Sequence, residues 1–149
     1  MSKELARNKK AYYDYTILDE YEAGIVLSGG EVKAIKAGFA SIKESYVKMI
    51  GKDLWLVNAN IKKWPQDTSK DYDRTRSRKL LLNRREIDKI LLKSAQEGCT
   101  IVPLSIYLKG ALVKIKIGLA KGKKKFEKKE KLMERQRELE SREDIKRNS

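Results

Sequence analysis

This sequence predicts a mainly β fold, a small closed antiparallel barrel with two or three short helices inserted, and three observations point to it. Leu112, Val113, Ile115, Ile117 and Leu119 stand against Lys114 and Lys116, a period of two that reads as a strand with one face buried and one cationic face presented. Tyr46–Ile50 and Leu54–Ile61 flank Gly51-Lys52-Asp53, the pattern of a hairpin with a short loop. Only two stretches carry helix start and stop signals, so strands outnumber helices.

Taken in order, residues 1–11 are polar and basic and read as a solvated arm. Tyr13, Tyr15 and Ile17 alternate with Asp14 and Thr16, and Ala23–Leu27 continues as a second apolar strand. Ser28-Gly29-Gly30-Glu31 has the form of a capping box. It opens a short helix that turns Val32 and Ile35 inward and ends at Gly38. Pro65–Ser77 is a long polar loop without periodicity. Asn83 caps a helix with Ile87, Ile90, Leu91 and Ala95 at helical spacing and Gly98 at its end. Thr100–Leu108 is a strand whose Pro103 predicts an edge or a bulge. Five or six short antiparallel strands with an interposed helix suit a barrel of the OB type, a class that binds oligonucleotides on a cationic strand face. An open α+β sheet has the same periodicities.

Charge narrows the function. The 149 residues hold 35 Lys and Arg against 21 Asp and Glu, a net +14. Residues 121–149 carry net +5 of it, leaving +9 on residues 1–120. A body this basic points to a polyanion, nucleic acid before an acidic membrane surface. No apolar run suffices to span a bilayer, and one Cys allows no internal disulfide, which together lead to the expectation of a cytoplasmic protein. The absence of His removes the commonest general base and metal ligand; no cofactor or metal is expected. Asp67, Asp71 and Asp73, with Glu86, are the one acidic set a metal-dependent nuclease could use.

The division into a body (1–120) and a basic tail (121–149) follows from the apolar residues. Beyond Lys121 only Phe126, Leu132, Met133, Leu139 and Ile145 are large and apolar, too few to bury a core. Glu and Lys or Arg recur three and four residues apart. The tail is therefore expected to be disordered when free and helical when an anionic partner holds it.

The stretches Asn8-Lys-Lys-Ala11, Tyr21-Glu-Ala-Gly-Ile25, Glu31-Val-Lys33, Ser45-Tyr46, Arg78-Lys-Leu-Leu-Leu-Asn83, Val102-Pro-Leu104, Lys114-Ile-Lys-Ile-Gly118 and Leu119-Ala-Lys-Gly-Lys-Lys124 follow one another in this order. Through them the chain resembles the small protein B family of tmRNA-binding proteins. The resemblance implies an OB-fold body that clasps the tRNA-like domain of tmRNA, with Asn8, Glu22, Tyr46, Leu81 and Lys114 in the RNA-binding part. Lys10, Lys33 and Lys116 join them as cations within the matching stretches. It further implies a monomer bound one-to-one to tmRNA, no catalysis by the protein itself, and no membrane partner. The tail would enter the decoding site of the 30S subunit, against 16S rRNA, through Gly122, Lys123, Lys124, Phe126, Glu127, Lys128 and Lys129. Where the family commonly shows His or Tyr before Asp-Lys-Arg, this chain has Phe126-Glu-Lys-Lys129. Phe126 keeps a ring, whereas Lys129 keeps the charge of Arg without its bidentate fork. The alternative is a general OB-fold ribosomal or RNA-binding protein without strong preference.

Overall fold

The structure, a computed structural model, describes residues 2–123. Its elements run β1 (Ser2–Arg7), α1 (Lys9–Asp14), β2 (Tyr15–Ile25), α2 (Gly29–Lys36), β3 (Ala40–Ser41), β4 (Tyr46–Ile50), β5 (Asp53–Val57), β6 (Asn60–Ile61), β7 (Arg78–Leu81), α3 (Arg84–Glu97), β8 (Thr100–Lys109) and β9 (Leu112–Gly122). The fold is mainly β. Seven strands form one sheet in the order β1-β8-β9-β2-β7-β5-β4, antiparallel at every pairing, and β3 pairs with β6 separately.

Local signals account for most elements. In β9, Ile115, Ile117 and Leu119 are fully buried while Lys114 and Lys116 look the other way. Gly51, at φ 65°, and Lys52 form the loop of the β4–β5 hairpin, closed by Ile50 opposite Asp53. Ser28 and Glu31 make both hydrogen bonds of the capping box. Asn83 accepts from the Glu86 amide, and Gly98 ends α3 in the left-handed region. The inward residues of β2, β5, β7 and β9 meet Ala34 and Ile35 of α2 and Ile90 of α3 in one core. Ala95, at the same helical spacing, is exposed.

The sheet departs from a closed barrel. Its end strands β1 and β4 share no ladder among the described residues, although β4 lies against β8. The reason is competition for one edge. β1 pairs with β8 from Ser105 to Lys109, and the Asn8 amide donates to the Leu104 carbonyl at 2.8 Å, so β4 can only pack there. Pro103 sits beside the register shift between β8 and β9, so the expected bulge is present in a strand flanked on both sides.

The N-terminal arm is ordered, contrary to the reading of residues 1–11 as solvated. Asn8 is 4% exposed. Its side-chain amide donates to Pro103 O at 2.9 Å while its Oδ1 accepts from the Ala11 amide, fastening α1 to β8. Ala11 then packs on Val102, Leu104 and Ala120 in a second, smaller cluster, so β8 is buried on both faces. Tyr13, read as strand, lies in α1. β9 continues past Ala120 through Gly122, paired with Tyr15. The tail expected from residue 121 otherwise lies outside the described residues, as do Lys124, Phe126, Glu127, Lys128 and Lys129.

Candidate nucleic-acid interface

The period of two along β2, β7 and β9 divides their side chains between the core and an outward face. Ala23 and Ile25 point in, so Glu22 and Gly24 point out. Register then sets Lys116 opposite Glu22, and Lys114 and Leu81 on either side of Gly24. Glu22, Leu81 and Lys114 line one shallow groove on this face, with Lys79 and Asn83 at its margin. Gly24 keeps the centre low: a Cβ there would come within 3.1 Å of the Leu81 Cβ. Leu81 is 53% exposed, whereas Leu80 beside it is buried at 1%.

Electrostatics fix the acid in this groove. Glu22 accepts from the Tyr107 hydroxyl at 2.5 Å and from the Lys109 ammonium at 3.2 Å. These hydrogen bonds, Tyr107 foremost, hold its carboxyl below the ordinary carboxylate range, with Lys109 and Lys114 adding a charge pull. Burial, then the Glu22 carboxylate, pushes the Tyr107 phenol well above its usual value, so it remains a donor. Lys116 lies over the Tyr107 ring at 6.0 Å and pairs with Glu20 at 3.6 Å. Lys114 makes no ion pair among the described residues and is the cation this groove offers to a phosphate.

Asn8, Lys10 and Tyr46 come together elsewhere, in the cleft left between β4 and β8 where the barrel does not close. Tyr46 is 49% exposed, an accessible ring for stacking. Lys10 reaches Glu44 at 3.8 Å across two exposed side chains, a pairing worth little. Asn8 is spent internally, so within this cleft its part is to hold α1 and thereby Lys10 in place. Lys33 belongs to a third place, the cleft between α2 and the loop 65–77. Gly122 ends β9, and Lys123 donates from its ammonium to Tyr12 O at 3.0 Å.

Among the described residues no three acids are placed to share a metal ion. Asp67 and Asp73 instead accept from the amides of Ser69 and Thr75 in their own turns, and Glu86 lines the Lys114 groove. The geometry gives the nuclease reading no ligand frame.

Comparison with known proteins decides the family. The SmpB protein model matches residues 5–147. The chain belongs to the SmpB family. It is 48% identical to the SsrA-binding protein of Streptomyces coelicolor, over 90% of this chain and 84% of that one. It is 47% identical to the SsrA-binding protein of Campylobacter fetus, over 98% of each. A solved SmpB structure, described as "tmRNA-SmpB: a journey to the center of the bacterial ribosome", superposes with a TM-score of 0.62 at 38% identity, covering 84% of this chain and 85% of that one.

Sequence reasoning missed Tyr107 and Lys79 on this SmpB-family face. Lys79 pairs with Asp53 at 3.5 Å and stands opposite Trp55. Its outward position was hidden because β7 inverts the usual polarity, with Arg78 inside and Leu81 outside. Tyr107 looked like one more apolar residue of β8, and only the register that brings Lys114 opposite it exposes the link to Glu22.

Proposed function

We propose that this chain is the tmRNA-binding adaptor of ribosome rescue. Its body, residues 1–120, binds the tRNA-like domain of tmRNA and carries it to stalled ribosomes in the cytoplasm. The segment 121–149, through Gly122, Lys123 and the further cations around Phe126, occupies the decoding centre of the 30S subunit in place of a codon–anticodon pair. The protein does no chemistry of its own and acts as a monomer. The relatives' name, SsrA-binding protein, and the tmRNA-SmpB description of the solved neighbour support this reading.

One observation carries the site: Glu22, Leu81 and Lys114, far apart in sequence, share a single outward groove in a chain of this family. A cation for phosphate, an apolar floor and an anchored carboxylate able to accept from a 2′-OH or a base edge suit a folded RNA better than a bare polyanion. The neighbouring cleft adds Tyr46 and Lys10. The OB-type likeness is supported by the sheet curling far enough to bring β4 against β8.

The test is competition at about 0.15 M salt, the physiological range, with the tRNA-like domain against excess elongator tRNA and rRNA fragments. Strong preference for the tRNA-like domain is expected; equal binding to all three would leave only a general RNA-binding protein. Lys114→Ala should weaken that binding and lower its salt slope by roughly one contact. An unchanged slope would remove Lys114 from the interface.

A further inference from the structure

We infer that Tyr107 is a specificity-determining positioning residue of the Lys114 groove. Its hydroxyl holds the Glu22 carboxylate so that Lys114 stays open to a phosphate, while the place beside it takes an RNA donor, a 2′-hydroxyl or a base amino group, and turns a phosphate away. The inference rests on the adaptor reading above and names what that groove selects.

Register makes the contact unusual. Glu22 stands on β2 opposite Lys116 of β9, and Tyr107 stands on β8 opposite Lys114 of the same strand. The two side chains therefore meet over the strand between them, across two ladder spacings of about 4.8 Å each. Tyr107 is 8% exposed, so packing fixes its ring. The 2.5 Å hydrogen bond extends that rigidity to an acid whose side chain is 38% exposed.

A glutamate on an outward strand face ordinarily settles on the cations across from it. Here Lys116, directly opposite, pairs with Glu20 and lies over the Tyr107 ring, and Lys114 makes no ion pair among the described residues. Tyr107 takes Oε2 of Glu22 and Lys109 takes Oε1, both from β8, which keeps the carboxylate out of contact with Lys114.

Selectivity follows from charge. A carboxylate engaged once on each oxygen still has lone pairs to offer a donor, whereas it repels a phosphate. An RNA bound through phosphates alone gains at Lys114 and loses at Glu22. One that sets a phosphate on Lys114 and a hydroxyl or amino group on Glu22 gains at both. Without the Tyr107 hydroxyl the carboxylate is free to close on Lys114, and the cation and the acceptor are lost together.

The test uses the full chain as Tyr107→Phe, as Glu22→Ala and with the two combined. Tyr107→Phe removes one oxygen and keeps the packed ring, and Glu22 is exposed, so folding is expected to persist and is checked by thermal melting. Affinity is measured for the isolated tRNA-like domain and for elongator tRNA. Tyr107→Phe should weaken binding of the tRNA-like domain about tenfold, as loss of one hydrogen bond to a charged group would give, and leave elongator tRNA nearly unchanged. The combined variant should bind no more weakly than Glu22→Ala alone, because the hydroxyl acts only through the acid. Carbon NMR titration of the Glu22 carboxyl in the free protein supplies a readout that a merely packing role for Tyr107 would not move. That carboxyl faces Tyr107 and Lys109 of β8, Lys114 and Lys116 of β9 and Glu20 of its own strand, and Tyr107 is the largest cause of its lying below the ordinary 4.5. Tyr107→Phe should raise its midpoint. Unchanged affinity in Tyr107→Phe, losses that multiply in the combined variant, an equal loss on elongator tRNA or an unmoved Glu22 midpoint would each overturn the inference. Wild-type protein that bound both RNAs alike would strike the adaptor reading instead, and the titration would still decide whether Tyr107 positions the acid.

Discussion

Replacing Arg78 by methionine is expected to cost about 3–5 kcal/mol of folding stability, the loss typical of breaking a buried ion pair. Arg78 is 0% exposed and Glu31 1%. The guanidinium donates to Glu31 Oε2 from Nε at 2.8 Å and from Nη2 at 2.6 Å, to Ala59 O at 2.8 Å and to Arg74 O at 3.1 Å. Glu31 also accepts from Arg76 and from the Tyr72 hydroxyl at 3.2 Å. One residue thus ties β7, the turn before β6 and the loop 65–77 to the first turn of α2. Methionine would fill much of the volume but take from the buried carboxylate its one fully buried cation, leaving it to Arg76, Tyr72 and Ser28, and would remove a donor from the Ala59 carbonyl. For a body of this size the midpoint should fall by roughly 10–20 °C. Arg78→Lys keeps the charge but not the fork and should recover only part of the loss. Adding Glu31→Leu to Arg78→Met should cost less than the sum of the single changes, since both single changes break the same buried pair. A midpoint for Arg78→Met within a degree of wild type would refute the account.

The same cluster sets an acid limit. Burial pushes the Glu31 carboxyl up, but hydrogen bonds from Arg76, Ser28 and Arg78 outweigh it and hold the group below its ordinary 4.5. A depressed folded value means that the unfolded chain binds the proton more readily. The stabilisation is therefore complete above the unfolded value and lost as pH falls from about 4.5 through the folded one. Chemical denaturation of wild type against Glu31→Gln should show a gap that is constant above about pH 5.5 and narrows below it. A gap that widened on acidification would contradict the sign.

What could be read from the sequence was whatever local chemistry determines. The capping residues Ser28 and Asn83 bond only three residues away, and the alternation of β9 encodes its own faces. The hairpin at Gly51 and the bulge at Pro103 were visible for the same reason. What escaped was decided by partners far along the chain. β1 is polar and basic and becomes a strand only because β8 offers it an edge. Arg78 can face inward only because Glu31, 47 residues earlier, awaits it, and that inversion drives Leu81 outward. Closure was equally illegible, since the α1 corner that takes the β8 edge from β4 is held by one Asn8 side chain. The functional consequence is direct: the incomplete seam is the cleft that gathers Asn8, Lys10 and Tyr46.

A chain ending at Lys123 is expected to bind the tRNA-like domain within about twofold of the full protein, a change of well under 1 kcal/mol, and to lose rescue of stalled ribosomes altogether. The point of truncation matters. β9 remains laddered to β2 as far as Gly122 opposite Tyr15, and the Lys123 amide donates to Asp14 O at 2.8 Å. The Lys123 ammonium also reaches Tyr12 O at 3.0 Å. Ending after Lys123 therefore keeps the corner of α1 and β2 that lies beneath the Asn8–Tyr46 cleft. Ending at Ala120 removes that pairing, and should weaken RNA binding as well as rescue. The assay is peptide tagging on ribosomes stalled at a truncated message, read beside direct binding of the tRNA-like domain. Tagging by the chain that ends at Lys123 would show that the decoding contact is made by the body. Loss of RNA binding in that same chain, with its fold intact by thermal melting, would show that the tail shares in holding tmRNA. Retained binding without tagging is the outcome that assigns tmRNA to the body and decoding to the tail.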